Sequence, residues 1–215
     1  MADGAVSPAF LDVSRSLSGR AWRLRPAEAG VTRAHIQALG LDEPLARALA
    51  SRGVAAEQGA DFLKPTLKAL FPNPSSFMDM DAAAAAIVDA LQAQASIHVF
   101  ADYDVDGASS AALLVRWFRT LGADLPIYVP DRLTEGYGPS ARAFDTLKAR
   151  GADLVITVDC GAAANEAVAH AAAIGLRVVV IDHHMMREEP PACLAVVNPN
   201  RPGCGSGQGN LAAAG

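Results

Sequence analysis

The sequence predicts an α/β protein built on a doubly wound, mostly parallel sheet, and three observations carry that prediction. From Ile97 onward, strand-sized apolar runs alternate with helical runs at intervals of about 25 to 30 residues, the size of a βαβ unit. The strand runs carry no polar face, as parallel strands covered by helices on both sides require. Successive runs also end in an aspartate: Asp102, Asp131, Asp159 and Asp182.

Taken in order, residues 1–34 read as a weakly ordered lead-in, with Trp22 and Leu24 as apolar anchors. Residues 35–95 read as a helical N-terminal segment. Short helices are expected at His35–Leu39, Pro44–Ser51, Ala55–Leu63 and Leu67–Phe71, punctuated by Gly40, Gly53 and Pro65. Pro72 and Pro74 interrupt the pattern, after which Asp81 is expected to cap an alanine-rich helix running to about Gln94. Residues 96–215 carry the α/β pattern. Ile97–Ala101 leads through Gly107, read as a turn, into a helix over Ala111–Leu121. Leu125–Val129 leads into Pro139–Arg150, and Leu154–Val158 into Ala163–Ile174. Leu176–Ile181 leads into an irregular loop rich in Met and Pro, and Leu194–Val197 adds a further strand.

The formal net charge of -5 argues against a generic basic nucleic-acid binder, but a metal can offset local acid and arginine can be concentrated in a groove. Cys160, Cys193 and Cys204 make an odd set without a C-x-x-C pair, which suits a reducing compartment. No apolar run approaches the roughly 18 residues of a membrane span, and the start of the chain lacks a basic-then-apolar signal. The expectation is a soluble, cytoplasmic protein with no membrane partner.

Asp102, Asp104 and Asp106 follow a buried strand at two-residue spacing. Carboxylates so close repel one another unless a cation with oxygen ligands neutralises them; the alternative is a solvated acidic loop with an Asp capping the next helix. In an open parallel sheet the carboxyl ends of the strands share one edge, where ligands bind. Asp159 and Asp182 come to that edge, as do His183 and His184. Mixed His and Asp donors suit Mn, Fe or Zn as well as Mg. Adjacent residues of an extended segment point apart, so one histidine is expected to ligate while the other orients it or touches substrate.

The loop from Pro130 to Pro139 leaves the same edge. Its Arg132 is placed to hold a phosphate or to pair with Glu135, and its Tyr137 to stack on a base. Cys160 follows an acid, which disfavours a thiolate, and is expected to pack. His35, His98 and His170 read as packing or surface residues, and the glycine-rich stretch 203–209 as a flexible loop. No G-x-G-x-x-G follows the first strand, which disfavours a dinucleotide-binding domain.

Ala101-Asp-Tyr-Asp-Val-Asp-Gly107, Pro130-Asp-Arg-x-x-Glu-Gly-Tyr-Gly138, Val158-Asp-Cys-Gly161 and Ile181-Asp-His-His184 occur in that order, before Val197-Asn-Pro-Asn-Arg-Pro202. Together they resemble the N-terminal catalytic half of the RecJ-type single-strand-specific exonucleases, within the DHH phosphoesterase superfamily. The resemblance implies a Mn2+- or Mg2+-dependent hydrolase with a two-metal site that trims single-stranded DNA from its 5′ end in recombination and repair. It places Asp104, Asp106, Asp159 and His183 at metal-ligand and catalytic positions, with Asp159 bridging. Asp102 and Asp182 become close or supporting ligands, and His184 a catalytic histidine on the substrate side. Arg132 and Tyr137 remain the substrate-binding candidates, and a single-strand-binding protein is a partner the family suggests. Two departures are visible. Ala101 stands where the family usually has Gly. The chain is also expected to stop one helix short of a further metal-binding Asp and of the domains forming the other wall of the cleft. Alternative readings are a DHH phosphoesterase of short oligonucleotides or cyclic dinucleotides, and a fragment that binds metal or DNA without turnover.

Overall fold

All strand pairings are parallel in the computed structural model, which describes residues 9–186 and 189–215. The strands are β1 (Ile97–Ala101), β2 (Ile127–Tyr128), β3 (Leu154–Val158), β4 (Arg177–Ile181) and β5 (Ala195–Val197). Their order across the sheet is β2-β1-β3-β4-β5. Strand order therefore reverses between β1 and β3, which opens a crevice at their carboxyl ends.

Both faces of the sheet are covered. Ile97, Val99, Leu154, Ile156 and Val158 face the helices α5 (Met80–Gln92) and α6 (Val105–Thr120) through Ala83, Ile87, Ala90, Ala111 and Phe118. Phe100, Val155, Val178 and Val180 face α7 (Ala141–Ala149) and α8 (Asn165–Ala173) through Phe144, Leu147, Val168 and Ala171. Strand residues alternate between the two clusters, so the doubly wound α/β reading is the observed architecture.

The chain divides into two compact units, one up to Phe71 and one from Pro72. The sequence boundary at 95/96 grouped α5 with the N-terminal helices. Its buried alanines and Ile87 instead pack into the sheet cluster, so the helix belongs to the second unit. Asp79, at φ 63°, precedes this helix in place of the expected Asp81. Its carboxylate accepts from Arg201 Nη1 (2.6 Å) and Val196 N (3.2 Å), tying the start of α5 to β5. Asp81 instead accepts from Ser75 Oγ at 2.8 Å.

The first unit contains α1 (Ala29–Leu39), α2 (Glu43–Ala50), α3 (Gly59–Leu63) and α4 (Leu67–Leu70). α1 starts inside the expected lead-in, whose first eight residues lie outside the described part. Buried His35 accepts this unit's packing role: its Nε2 lies 2.8 Å from Val54 O.

Two other differences have local causes. β2 is shorter than expected because Pro126 and Pro130, which lack an N–H, flank it on the sheet edge. α6 begins at Val105 rather than Ala111, because Asp104 Oδ1 caps it by accepting from Asp106 N (2.9 Å) and Gly107 N (3.2 Å). Gly107 is thus a helical residue, needed for space: a Cβ there would run into the carbonyl oxygen of Asp102. Gly107→Ala should therefore push Asp102 out of place and destabilise the chain by about 1–3 kcal/mol, measured by urea denaturation. A midpoint equal to wild type would show that the turn absorbs the methyl group.

Candidate metal centre

Register places the acids. Ala101, Val158, Ile181 and Val197 are level across β1, β3, β4 and β5. The ladder runs one bond further: Asp102 N donates to Val158 O (3.2 Å), Asp159 N to Ile181 O (2.9 Å) and Asp182 N to Val197 O (3.0 Å). Asp102, Asp159, Asp182 and Asn198 therefore form one row along the carboxyl edge, all buried. Asp131 does not join them. The β1–β2 register sets Pro130 level with Asp102, and exposed Asp131 closes its own turn by accepting from Leu133 N (2.8 Å) and Thr134 N (3.0 Å).

Asp159, at the strand-order reversal, is the centre of the group. Its backbone is left-handed, φ 63°, a strained conformation for an acid that turns the side chain away from the strand direction. The residue is 1% exposed, and neither carboxylate oxygen has a hydrogen-bond donor. His183 Nε2 lies 3.1 Å from Oδ1 but outside hydrogen-bond alignment. Burial first, and then the adjacent Asp104 carboxylate, push the Asp159 carboxyl up to about 7. Asp102 is also raised, chiefly by burial, whereas Asp104 is lowered, first by its bond from Gly107 N.

Two sets of side-chain donors converge here: Asp102, Asp104 and Asp159, and Asp159, His183 and His184. Within each set the donor atoms lie within 4.8 Å of one another, and Asp159 belongs to both. Buried carboxylate oxygens without donors, facing another carboxylate and an imidazole, are unfavourable as they stand and are satisfied by a divalent cation. The residues therefore fit the cation that the sequence suggested, with oxygen and imidazole donors that suit Mn2+ or Mg2+. Asp106 lies in the first turn of α6, outside both sets.

Asp182 serves the histidines. Its Oδ1 accepts from His183 N (2.7 Å), His184 N (3.1 Å) and His184 Nδ1 (2.7 Å), and its Oδ2 from Ala162 N (3.0 Å). With both oxygens engaged, this carboxylate orients the pair. Burial works against charging His184, but the bond to Asp182 and the surrounding acids raise its pKa overall.

Two residues to which sequence reasoning gave no role complete this support. Asn198 Nδ2 donates to His184 O (3.0 Å), and Asn200 Nδ2 to His183 O (2.6 Å). Asn198 Oδ1 accepts from Asn200 N (2.7 Å), so the two amides act together. Asn200 also holds Gly209 O at 3.1 Å, anchoring the stretch read as a flexible loop. The available signal was Asn-Pro-Asn directly after the fifth strand, on the same edge.

The Pro130–Pro139 loop reaches the centre from one side. Glu135 does not pair with Arg132; it accepts from the Tyr128 hydroxyl and from Asp131 N (2.9 Å). The Arg132 guanidinium carbon lies 5.0 Å from the centroid of the Tyr103 ring, between Asp102 and Asp104 in sequence. The Tyr137 hydroxyl donates to Asp159 O (3.5 Å) and lies 3.3 Å from His184 Nδ1, while the residue as a whole stays 58% exposed. Beside them opens a cleft of about 950 Å³, lined by Tyr137, Asp182, His184 and the first residues of α7 and α8. Cys160 is buried with its thiol pushed up by that burial, which fits packing rather than nucleophilic attack. His98 and His170 lie elsewhere, beside Ser96 and Asp145.

Residues 96–214 match the DHH family, N-terminal domain. The chain belongs to the DHH family. Within it, this DHH chain is 34% identical over 183 residues to the single-stranded-DNA-specific exonuclease RecJ of Bacillus subtilis, covering 85% of the chain and 23% of that protein. It is 37% identical over 174 residues to RecJ of Escherichia coli, covering 80% of the chain and 30% of that protein. The structure of RecJ with Mn2+ from Thermus thermophilus superposes with a TM-score of 0.64 at 28% identity, covering 89% of this chain and 26% of that one. A second structure, exonuclease RecJ bound to manganese, gives 0.54 at 32% identity, over 67% of this chain and 35% of that one. The chain thus spans only about a quarter to a third of the length of these relatives. Among the described residues, no helix is long and apolar enough to cross a membrane.

The raised groups set a pH dependence. Asp159, Asp102 and His184 all hold protons more tightly folded than unfolded. Between the ordinary carboxylate range and the folded value of about 7 for Asp159, the folded state binds more protons, so stability falls as pH rises. Metal-free protein in EDTA should melt at higher temperature at about pH 5.5 than at about pH 8. Asp159→Asn should narrow that gap; an unchanged gap would locate the proton elsewhere.

Proposed function

We propose that this DHH chain carries a two-metal phosphodiesterase centre that hydrolyses single-stranded DNA from its 5′ end, using Mn2+ or Mg2+. The observation that supports it most is Asp159: a buried carboxylate with no donor on either oxygen, shared by two sets of side chains able to ligate a cation. The similarity to RecJ exonucleases, including two solved with manganese, supports the substrate and the metal.

In this reading Asp102 and Asp104 would hold one cation and His183 the other, with Asp159, common to both sets, available to each. Asp106, in the first turn of α6, would add negative charge beside the first, and Asp182 keeps the histidines in place. Divalent cations in such a site lower the pKa of a bound water and steady the oxygens of an in-line displacement at phosphorus. The chain's own groups do the rest. His184, held at Nδ1 by Asp182, whose bond raises its pKa, is the proton carrier on the substrate side. Arg132, stacked on Tyr103, offers its fork of donors to a phosphate. The ring of exposed Tyr137, tethered through its hydroxyl, offers a face to a base. Other phosphodiesterases of short oligonucleotides or cyclic dinucleotides would use the same centre, and chain-length preference separates them.

The deciding experiment is degradation of 5′-labelled single-stranded DNA by the purified chain with manganese, against a duplex control. Labelled mononucleotide from single strands alone is the expected product. Absence of product from a sample that still binds manganese by calorimetry would leave a metal-binding unit without turnover. Asp159→Ala should abolish both manganese binding and hydrolysis; wild-type turnover by this variant would sink the two-metal reading. Arg132→Ala should raise KM for DNA about 10- to 100-fold and leave manganese affinity unchanged. Unaltered KM would return Arg132 to a packing role on Tyr103.

A further inference from the structure

The metal centre makes no use of the first described segment. Residues 9–25 fold back on themselves: Phe10 N donates to Trp22 O (2.9 Å), Trp22 N to Val13 O (2.9 Å) and Ser16 N to Arg20 O (2.9 Å). Gly19, at φ 75°, closes the turn, where a side chain would be strained. Arg15, Arg20, Arg23 and Arg25 all lie in this short stretch, and no acid lies between Val13 and Ala27. On a chain of net charge -5 this is a concentrated positive island.

The island also carries an aromatic face. Trp22 is 49% exposed, an unfavourable position for an indole without a covering partner. Arg15, Arg20 and Arg25 make no ion pair among the described residues. A cleft of about 520 Å³ lies between Phe10, Ser16, Arg20, Trp22 and Arg25.

We propose that this hairpin is an accessory binding element for single-stranded DNA, its arginines on phosphates and Trp22 stacked on a base. The inference rests on the reading that the substrate is single-stranded DNA. The guanidinium groups of Arg15, Arg20 and Arg25, without ion pairs among the described residues, complement a phosphate chain, and an indole flanked by them suits an unstacked base without regard to sequence. An acidic protein surface would satisfy the charge but would leave the indole without a planar partner.

The test uses the whole chain in EDTA, so that binding is read without cleavage, with a fluorescein-labelled oligo-dT as probe and anisotropy as readout. Arg20→Glu/Arg25→Glu should bind at least tenfold more weakly. Its plot of log K against log salt should be shallower by about 1.4, the value for two lost phosphate contacts to a single strand. In a Trp117→Phe background, where Trp22 is the remaining one of two tryptophans, oligo-dT should quench the emission. Trp22→Ala, which leaves the charge intact, should weaken binding without changing the salt slope. Equal affinity and slope for wild type and the double variant would overturn this inference alone and leave an acidic protein as the hairpin's partner. No binding by wild type would overturn it together with the single-strand substrate.

Discussion

The structure turns on carboxylates that cannot be left charged side by side out of water. Asp159 is 1% exposed, and its oxygens have no donor, yet Asp102 and Asp104 stand against it. Desolvation and repulsion both oppose ionisation there, which is why the Asp159 carboxyl is pushed up to about 7. A fold chosen for stability alone would not gather these groups. Their cost is offset when a divalent cation supplies the opposite charge.

The architecture makes that gathering inevitable. Parallel strands end together, and the reversal of strand order between β1 and β3 leaves room between Asp102 and Asp159. Support then spreads outward along the row. Asp182 engages both histidine N–H groups, and Asn198 and Asn200 hold the corresponding carbonyls. Arg201 pins β5 through Val196 O (2.7 Å) and Asp79. The histidines are thereby fixed on their backbone from both sides, the preorganisation a ligating or proton-carrying residue needs.

Much of this was legible in residue order. Continuous apolar runs announced the buried parallel strands, and acids at their ends announced the functional edge. Asp131 shows the limit of that signal: it ends a strand as Asp102 does, but sits one position beyond the row and caps a turn. Gly107 shows another. A glycine after an acid read as a turn, whereas its role is to let a helix lie against the Asp102 backbone. Asn198 and Asn200 passed without a role because an amide holding a carbonyl has no periodicity and no charge to betray it.

The sequence by itself determined the fold class, the family motifs and the types of candidate donor at the edge, because these follow from patterns of burial and from chemistry local to each strand end. Tertiary structure alone decided which of those residues meet. Register set Asp102, Asp159, Asp182 and Asn198 level, and the left-handed backbone of Asp159 turned its carboxylate toward both donor sets. Hydrogen bonding then separated Asp182, satisfied by backbone and imidazole N–H groups, from Asp159, which has none. Two aspartates that follow apolar strands in the same way take different roles because strand pairing and donor supply are properties of the packed chain.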